Sequence, residues 1–184
     1  MDIPLDTILK SEHLLLKVVS EDDIECVWSA SRVPGFTDGM TWDPAEKKEE
    51  IVDHIHQSIT EWKEGRDFGF SIYQKELKEC IGRIGIRRRD GDSVWNIGYW
   101  MHPDFQGKGY MTESVKMIVE WGFTVLQAKI ITSEHASWNE ASGKVLQKAG
   151  FTYVGHLDCG FVKHGKEIPE EEYSIKKEDF IREN

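Results

Sequence analysis

The chain has 184 residues, which suits one domain with a buried core, and 39% of them are hydrophobic and 30% charged. The net charge of −10 argues against a nucleic-acid-binding face, and no apolar run reaches the roughly 20 residues that a membrane span needs. A signal-peptide pattern is missing, and Cys26, Cys80 and Cys159 follow no CxxC spacing. We therefore expect one reduced, cytoplasmic domain over residues 1–184 that binds neither nucleic acid, membrane nor metal.

The first third of the chain predicts one strand followed by two helices. Residues 13–19 form an apolar strand, and Ser20 is expected to cap the first helix. Residues 33–44 are rich in Gly and Pro and are expected to form a loop. The second helix is predicted to begin at Pro44 and to end near Lys63, because apolar residues recur between them at helical spacing.

Three further strands are predicted over residues 68–73, 80–87 and 94–101, and the short polar turns between them favour antiparallel pairing. The cluster Arg87–Arg89 precedes the second of these turns. We interpret the cluster as the solvated tip of a hairpin rather than as a binding site.

The most informative stretch of the chain follows residues 94–101, where Gln106–Gly109 leads into an amphipathic helix. Glycines at a helix start let backbone N–H groups converge on an anion, and the helix dipole adds to the attraction. The stretch therefore predicts a phosphate-binding loop, although two glycines before a helix also fit an ordinary tight turn. It matches neither GxxxxGK[ST] nor GxGxxG.

The remaining elements are a strand over residues 129–135, a helix over 139–149 and two late strands near 151–162 and 171–176. A strand–helix–strand–helix unit beside a run of hairpins predicts an α/β (α+β) fold. We expect a mixed, mostly antiparallel sheet of about seven strands with helices on both faces.

Two motifs resemble the GCN5-related N-acetyltransferases (GNAT superfamily), and in particular the RimJ/RimL-like branch. The first motif comprises Gly98, Tyr99 and Trp100, followed by Gln106, Gly109 and Met111. The second comprises Asn139, Ser142, Leu146, Lys148, Gly150 and Phe151. Met111 is a departure, since the family prefers Gly or Ala there. The resemblance also implies that the fourth and fifth strands splay apart and that the thioester lies in the gap.

The resemblance implies acetyl-CoA as the cosubstrate and no metal. The cofactor-contacting residues that it implies are Trp100, Met101, His102, Gln106, Gly107, Lys108, Gly109, Tyr110, Met111, Asn139 and Ser142. Lys108 also fits a solvent-exposed role. Asn139 precedes a helix, so it fits an N-cap as well as a cofactor contact.

The resemblance implies that Ser142 protonates the departing thiolate, but it identifies no general base. Related enzymes often carry glutamates where this chain has Asn96 and Val154. Glu134 and His135 are the nearest substitutes by position, and strand alternation directs only one of them into the cleft. Each of the two also fits a surface or edge residue.

The missing glutamates favour acceptors that need little help with deprotonation. An α-amine has a pKa of about 7.8 and a lysine amine one of about 10.4, so α-amines or other amines of low pKa are favoured. We expect the acceptor pocket to include Trp42 and Trp28, unless these are ordinary core residues.

The leading hypothesis is an acetyl-CoA-dependent N-acetyltransferase that modifies a protein N-terminal amine, of the ribosomal-protein type. The first alternative is acetylation of a small-molecule amine such as a polyamine, an amino acid or an antibiotic. The second alternative is a non-catalytic acyl-CoA-binding module. Whether the chain forms a homodimer is left open.

Overall fold

The computed structural model describes residues 2–91 and 93–183, and these form one eight-stranded sheet with helices on both faces. The strands are β1 (Ile8–Lys10), β2 (Leu14–Val18), β3 (Asp67–Gln74), β4 (Glu79–Asp90), β5 (Val94–Met101), β6 (Ile130–Ala136), β7 (Thr152–Lys163) and β8 (Lys166–Lys176). The α-helices are α1 (Ile24–Ser31), α2 (Lys48–Lys63), α3 (Tyr110–Thr124), α4 (Glu140–Lys148) and α5 (Lys177–Glu183). None of the helices in these ranges is long and apolar enough to cross a bilayer.

The sheet runs in the order β1-β2-β3-β4-β5-β6-β8-β7, and β5–β6 is its one parallel pair within the described ranges. That pairing is short. It joins Val94–Asn96 to Ile130–Thr132 and does not continue to the end of β5 at Met101. The two halves of the sheet therefore separate beyond Asn96, as expected for the fourth and fifth predicted strands, which are β5 and β6 here.

Apolar residues bury both faces of the sheet. The larger core lies under α3, where Val115, Ile118 and Val119 are fully buried. A smaller cluster of Val19, Ile51 and Ile55 holds α1 and α2 against the other face. The layered α/β architecture is confirmed.

Two elements were not anticipated from the sequence, β1 and the C-terminal helix α5. Both are short, and β1 is held by its pairing with β2 rather than by a pattern of its own. β8 is also longer than predicted, since it begins at Lys166. These segments are defined by tertiary contacts, which outweigh local propensity at the edges of a sheet.

Ser20 is the N-cap of the first helical segment, as predicted, whereas the second helix starts later than predicted. The first helix opens with a 3-10 turn, and the Ser20 N–H donates to the buried carboxylate of Asp23 at 2.8 Å. The second helix starts at Lys48 rather than at Pro44. Lys47 is the N-cap residue, and Glu46, which precedes it, donates its N–H to the Glu50 carboxylate in the first turn at 3.0 Å, so this bond ties the preceding chain to the helix start.

Candidate active site

Two cavities open on opposite faces of the sheet and meet where β5 leaves β6. The loop cavity, of about 590 Å³, is bounded by the β5–α3 loop and the starts of α3 and α4. The sheet cavity, of about 460 Å³, lies over β3, β4 and β5. Met40, Tyr99 and Trp100 line both cavities. The end of β5 is therefore the wall that the two cavities share.

The glycines of the loop cavity are required by backbone conformation. Gly107 has φ +75° and Gly109 has φ +86°, values that residues with a Cβ rarely adopt. A Cβ built at either position meets no atom within 4 Å, so the space beside this backbone is open. Gly109 is also the N-cap of α3, whose first-turn N–H groups have no partner within the helix. The local geometry suits an anion.

The charges around the loop cavity are positive despite the acidic composition of the chain. Lys144 and Lys148, both on α4, line this cavity, and none of its described lining residues is Asp or Glu. Lys148 belongs to the second sequence motif but was not among the predicted site residues, and Lys144 belongs to neither motif. Because Lys144 and Lys148 lie one turn apart on the same helix, helical spacing from Asn139 was the available signal.

The structure gathers most of the predicted cofactor residues around the loop cavity. The nine that line it are Trp100, Met101, Gln106, Gly107, Gly109, Tyr110, Met111, Asn139 and Ser142. Met111 is buried and packs in the main core, so its side chain does not fill the space beside the backbone of Gly107 and Gly109.

Lys108 and His102 lie outside the lining of the loop cavity. The Lys108 ammonium donates to the Asp104 carbonyl at 3.0 Å and lies 5.0 Å from the centre of the Phe105 ring. His102 Nδ1 accepts from the Asp104 N–H at 3.3 Å. These two side chains hold the 3-10 turn Pro103–Phe105 rather than facing the cavity.

A pair of hydroxyl groups lies at the junction between the two cavities. The Tyr99 hydroxyl and Ser142 Oγ are 2.8 Å apart, and Asn139 Oδ1 accepts from the Ser142 N–H at 3.3 Å. Asn139 therefore serves as the N-cap of α4 and also lines the loop cavity. Burial raises the pKa of Tyr99 well above its ordinary value of 10.0, so this phenol stays protonated at physiological pH. The sequence motif contains Tyr99, but it gave no sign that the hydroxyl meets Ser142.

The floor of the sheet cavity contains a row of three glycines with side chains of other residues lying against it. A Cβ built at Gly98 would come within 3.0 Å of Arg87 Nη2, and one built at Gly85 within 3.4 Å of Asp67 Oδ1. Gly69, Gly85 and Gly98 lie side by side on β3, β4 and β5. Neighbouring strands are about 4.8 Å apart, so this row of glycines is about 10 Å long. We refer to it as the glycine groove.

Two carboxylates, from β6 and β8, reach the sheet cavity. Glu134 accepts from Asn96 Nδ2 at 2.7 Å and lies 3.5 Å from Arg89 Nη2. Glu170 lines the same cavity, and burial, followed by the nearby Glu134, raises its pKa. Asn96 thus stands where related enzymes carry a glutamate, and it hydrogen-bonds a carboxylate supplied by the adjacent strand.

His135 lies on the opposite side of β6 from Glu134. Its ring is buried against Tyr173, with ring centres 5.5 Å apart, and its Nδ1 lies 2.9 Å from the Ala136 carbonyl. It lines neither cavity. Val154 is 54% exposed on β7 and also lines neither cavity. A glutamate at position 154 would therefore not reach the site.

The two tryptophans predicted for the acceptor pocket have different positions. Trp42 lines the sheet cavity, and its ring centre is 6.5 Å from that of Trp100. Trp28 packs in the α1–α2 cluster, with the Arg32 guanidinium 4.2 Å from its ring centre, and lines neither cavity. The prediction for Trp28 is therefore wrong. The position of Trp28 in the sequence could not show that its ring packs between α1 and α2.

Arg87, Arg88 and Arg89 are exposed, as expected of a solvated cluster, but they lie on a strand rather than at its tip, and two of them border a cavity. β4 continues to Asp90, so these arginines lie on the strand and alternate between its faces. Arg87 and Arg89 line the sheet cavity, whereas the Arg88 guanidinium lies 5.3 Å from the Trp95 ring centre.

The three cysteines have free thiols. None of them is among the described residues that line either cavity. Their positions supply no nucleophile beside the hydroxyl pair.

A family model described as the acetyltransferase (GNAT) domain matches residues 13–152. The uncharacterized N-acetyltransferase YoaA of Bacillus subtilis (strain 168) is 26% identical over 171 residues, which are 92% of this chain and 97% of that protein. The uncharacterized N-acetyltransferase p20 of Bacillus licheniformis is 26% identical over 179 residues, 96% of this chain and 99% of p20.

A solved structure of the same fold is that of RimL, a ribosomal L7/L12 α-N-protein acetyltransferase in complex with coenzyme A. It has a TM-score of 0.83 and 20% identity and covers 92% of this chain and 98% of RimL. The matched segment of the family model includes the glycine loop, the hydroxyl pair and the splayed strands. The chain therefore belongs to the GNAT acetyltransferase family.

Proposed function

We propose that this chain transfers the acetyl group of acetyl-CoA directly to a primary amine, and that the α-amine of a protein N-terminus, of the ribosomal-protein type, is its acceptor. The observation that carries this proposal is the meeting of the two cavities at Tyr99 and Trp100, where the sheet opens. A cofactor in the loop cavity and an amine in the sheet cavity would meet at this opening.

The residues of the loop cavity fit acetyl-CoA. The open backbone at Gly107 and Gly109 and the start of α3 would hold the pyrophosphate, with Lys144 and Lys148 supplying positive charge. Bound acetyl-CoA supplies the acetyl thioester that the amine attacks. Ser142 and Tyr99 are placed at the end of this cavity to hold a proton for the leaving sulfur.

The proton of the amine has a short route into the sheet cavity. An α-amine of pKa about 7.8 is roughly one seventh neutral at pH 7, so the demand on a base is modest. Glu134 and Glu170 line this cavity. The raised pKa of Glu170 makes it a better proton acceptor than a carboxylate of ordinary pKa. We assign the amine-side proton to this pair.

Two kinds of acceptor are represented among structural neighbours. RimL is named for ribosomal protein L7/L12, and a Vibrio fischeri neighbour (TM-score 0.79, 21% identity) is named a ribosomal-protein-S5-alanine acetyltransferase. The microcin C7 self-immunity acetyltransferase MccE was solved with acetyl-CoA and AMP (TM-score 0.80, 22% identity). A small-molecule amine remains the second candidate, because the loop that carries Met40 and Trp42 covers part of the sheet cavity and limits its size.

Two proposals concern the setting of the protein. We propose that it works in the cytoplasm, where the free thiols of the chain, including exposed Cys159, stay reduced. We also propose a homodimer, since β7 ends the sheet and exposes Tyr153, Val154 and Val162. Sedimentation of the purified chain tests the second proposal, and a monomer at all concentrations would contradict it.

The function is tested by free-thiol release from acetyl-CoA with a panel of amines. The panel contains short peptides with free N-termini, polyamines and amino acids. We expect release with the peptides, accompanied by acetylation of their α-amine in mass spectrometry. A protein that is stabilised by acetyl-CoA but releases no thiol with any of these amines would instead be a non-catalytic binding module.

A further inference from the structure

One arginine of the sheet cavity has hydrogen-bonding groups that the protein leaves unused. Arg83 lines this cavity, and its Nε and Nη2 are shielded from solvent without a hydrogen-bond partner among the described residues. Shielding a cation in this way is costly unless it is paired. Burial accordingly lowers the pKa of Arg83, and the negative charge of Asp23 opposes this.

The neighbouring carboxylate of Asp23 is already engaged by other donors. It accepts from the Ser20 N–H at 2.8 Å, from Ser71 Oγ and from the Tyr73 hydroxyl. Asp23 therefore balances part of the charge of Arg83 without satisfying its N–H groups.

The other two arginines of the sheet cavity differ from Arg83 because both are exposed to solvent. Arg89 lies 3.5 Å from Glu134, and Arg87 is paired in register with Asp67 across the β3–β4 ladder. Arg83 is thus the arginine of this cavity with shielded N–H groups for which no described residue supplies an acceptor.

The position of Arg83 relative to the reaction point follows from strand register. Arg83 lies directly across from Trp100, which borders both cavities, and two residues from Gly85 in the middle of the glycine groove. Two residues along a strand span about 7 Å. An acceptor that enters the sheet cavity with its amine at the opening can therefore bring a second group to Arg83.

We propose that Arg83 is a specificity residue that binds a carboxylate of the acceptor, so that the enzyme prefers amines which also carry an anionic group. The proposal rests on the proposed function and narrows it to an acidic subset of acceptors. A guanidinium presents two N–H groups in a planar fork that matches a carboxylate, which explains why an arginine rather than a lysine stands there.

The test compares acceptors that differ only in charge. The first pair is Ser-Asp-Ala amide and Ser-Asn-Ala amide, which place a carboxylate or its amide beside the same α-amine and so represent a protein N-terminus. The second pair is an α-amino acid and its methylamide at equal concentrations of neutral amine, which represents a small molecule. The ratio of kcat/KM between acid and amide is measured for each pair. The pair with the larger ratio identifies the source of the carboxylate.

We expect the wild-type enzyme to favour the acid of at least one pair by about 10- to 100-fold, the range of a hydrogen-bonded charge pair. In Arg83→Met the ratio should fall to near one. Arg83→Lys should give an intermediate ratio, because it keeps the charge and loses the fork. Arg66→Met is the matched control, since Arg66 is an exposed arginine that pairs with Glu64 and lines neither cavity. It should keep the wild-type ratio.

A structural role for Arg83 makes a different prediction. If binding is its role, Arg83→Met should lose the preference for the acid whether or not it melts lower than the wild type, because a lower melting temperature can arise from the buried Asp23 carboxylate losing a nearby positive charge. A lower melting temperature together with a preserved ratio would overturn the proposal. So would a wild-type ratio near one for both pairs.

Failure of the enzymatic function is distinguishable from failure of this inference. If no amine is acetylated, the proposed function fails, and the inference is tested by binding alone. The acid peptide should then raise the melting temperature of the wild type, and it should not raise that of Arg83→Met. An equal shift in both proteins would refute the role of Arg83.

Discussion

The hydroxyl pair at the junction of the two cavities allows a quantitative test of the proposed proton route. Tyr99→Phe removes one hydroxyl and keeps the ring, and Ser142→Ala removes the other. The hydroxyl of Tyr99 is 2.8 Å from Ser142 Oγ and donates to the Ser142 carbonyl at 3.2 Å. Each substitution therefore cuts the same short chain at a different point.

The expected losses differ between stability and rate. Losing a neutral hydrogen bond costs about 1 kcal/mol, which lowers the melting temperature of a chain of this size by about 2–4 °C. Losing a proton-transfer group lowers kcat by about 100-fold, the lower end of the usual range for such a group. If both hydroxyls belong to one route, the double variant should be about as slow as the slower single variant.

The assay is thiol release at saturating acetyl-CoA, with binding followed separately by thermal shift. Acetyl-CoA should stabilise all three variants nearly as well as the wild type, because the pair acts on the leaving group. Since burial raises the pKa of Tyr99 above 10.0, ionisation of this residue should produce no inflection in kcat below pH 10.0. Multiplied losses in the double variant, or an unchanged kcat in Tyr99→Phe, would show that the two hydroxyls do not form one route.

Three further predictions concern the glycine loop, the loop over the acceptor and the buried carboxylate. Gly109→Val should abolish stabilisation of the fold by acetyl-CoA. The control Gly165→Val, at a similar φ of +75° in a distant turn, should lower the free energy of unfolding by a comparable ~1–2 kcal/mol but keep the stabilisation by acetyl-CoA. An equal loss of that stabilisation in both variants would contradict the phosphate-binding assignment. The Lys163 ammonium donates to three backbone carbonyls of residues 37–42 at 2.7–3.0 Å. Lys163→Met should therefore lower the melting temperature by about 4–8 °C and raise the acceptor KM more than the acetyl-CoA KM. Equal changes in the two KM values would contradict this prediction. Glu170→Gln should melt higher than the wild type at pH 7, because a raised carboxyl pKa destabilises the folded state at pH values where the carboxyl group is ionised. The difference in melting temperature should disappear below pH 4.5. A difference that persists at low pH would contradict the direction of the pKa shift.

The parts of the site that could be predicted from the sequence are those encoded locally. Gly107 and Gly109 indicate a helix start with positive φ, and Asn139 followed by Ser142 indicates an N-cap. These features depend on residues within one turn of each other. Sequence spacing therefore placed them correctly on the walls of one cavity.

The acceptor side could be predicted only in part, because most of it depends on register between distant strands. Glu134 and Trp42 were named from the sequence, whereas Arg83 and Glu170 were not. Arg83, Glu134 and Glu170 come from β4, β6 and β8, and a shift of one residue in any of these pairings would turn the side chain away. The hydrogen bond between Asn96 and Glu134 joins residues 38 positions apart. The sequence therefore could not show that Glu134, on the neighbouring strand, brings a carboxylate next to Asn96. The position of Trp28 could not be predicted for a related reason, since an apolar helix face does not indicate which neighbouring element packs against it.

The direct transfer of the acetyl group across the opening in the sheet is the central claim. It is tested most directly by two-substrate initial-rate kinetics, combined with the intact mass of the enzyme during turnover. We predict intersecting double-reciprocal lines, as for a ternary complex, and no added acetyl group on the protein, because none of the cysteines lines either cavity. Parallel lines together with one acetyl group on Cys26, Cys80 or Cys159 of the kinetically competent enzyme would contradict it.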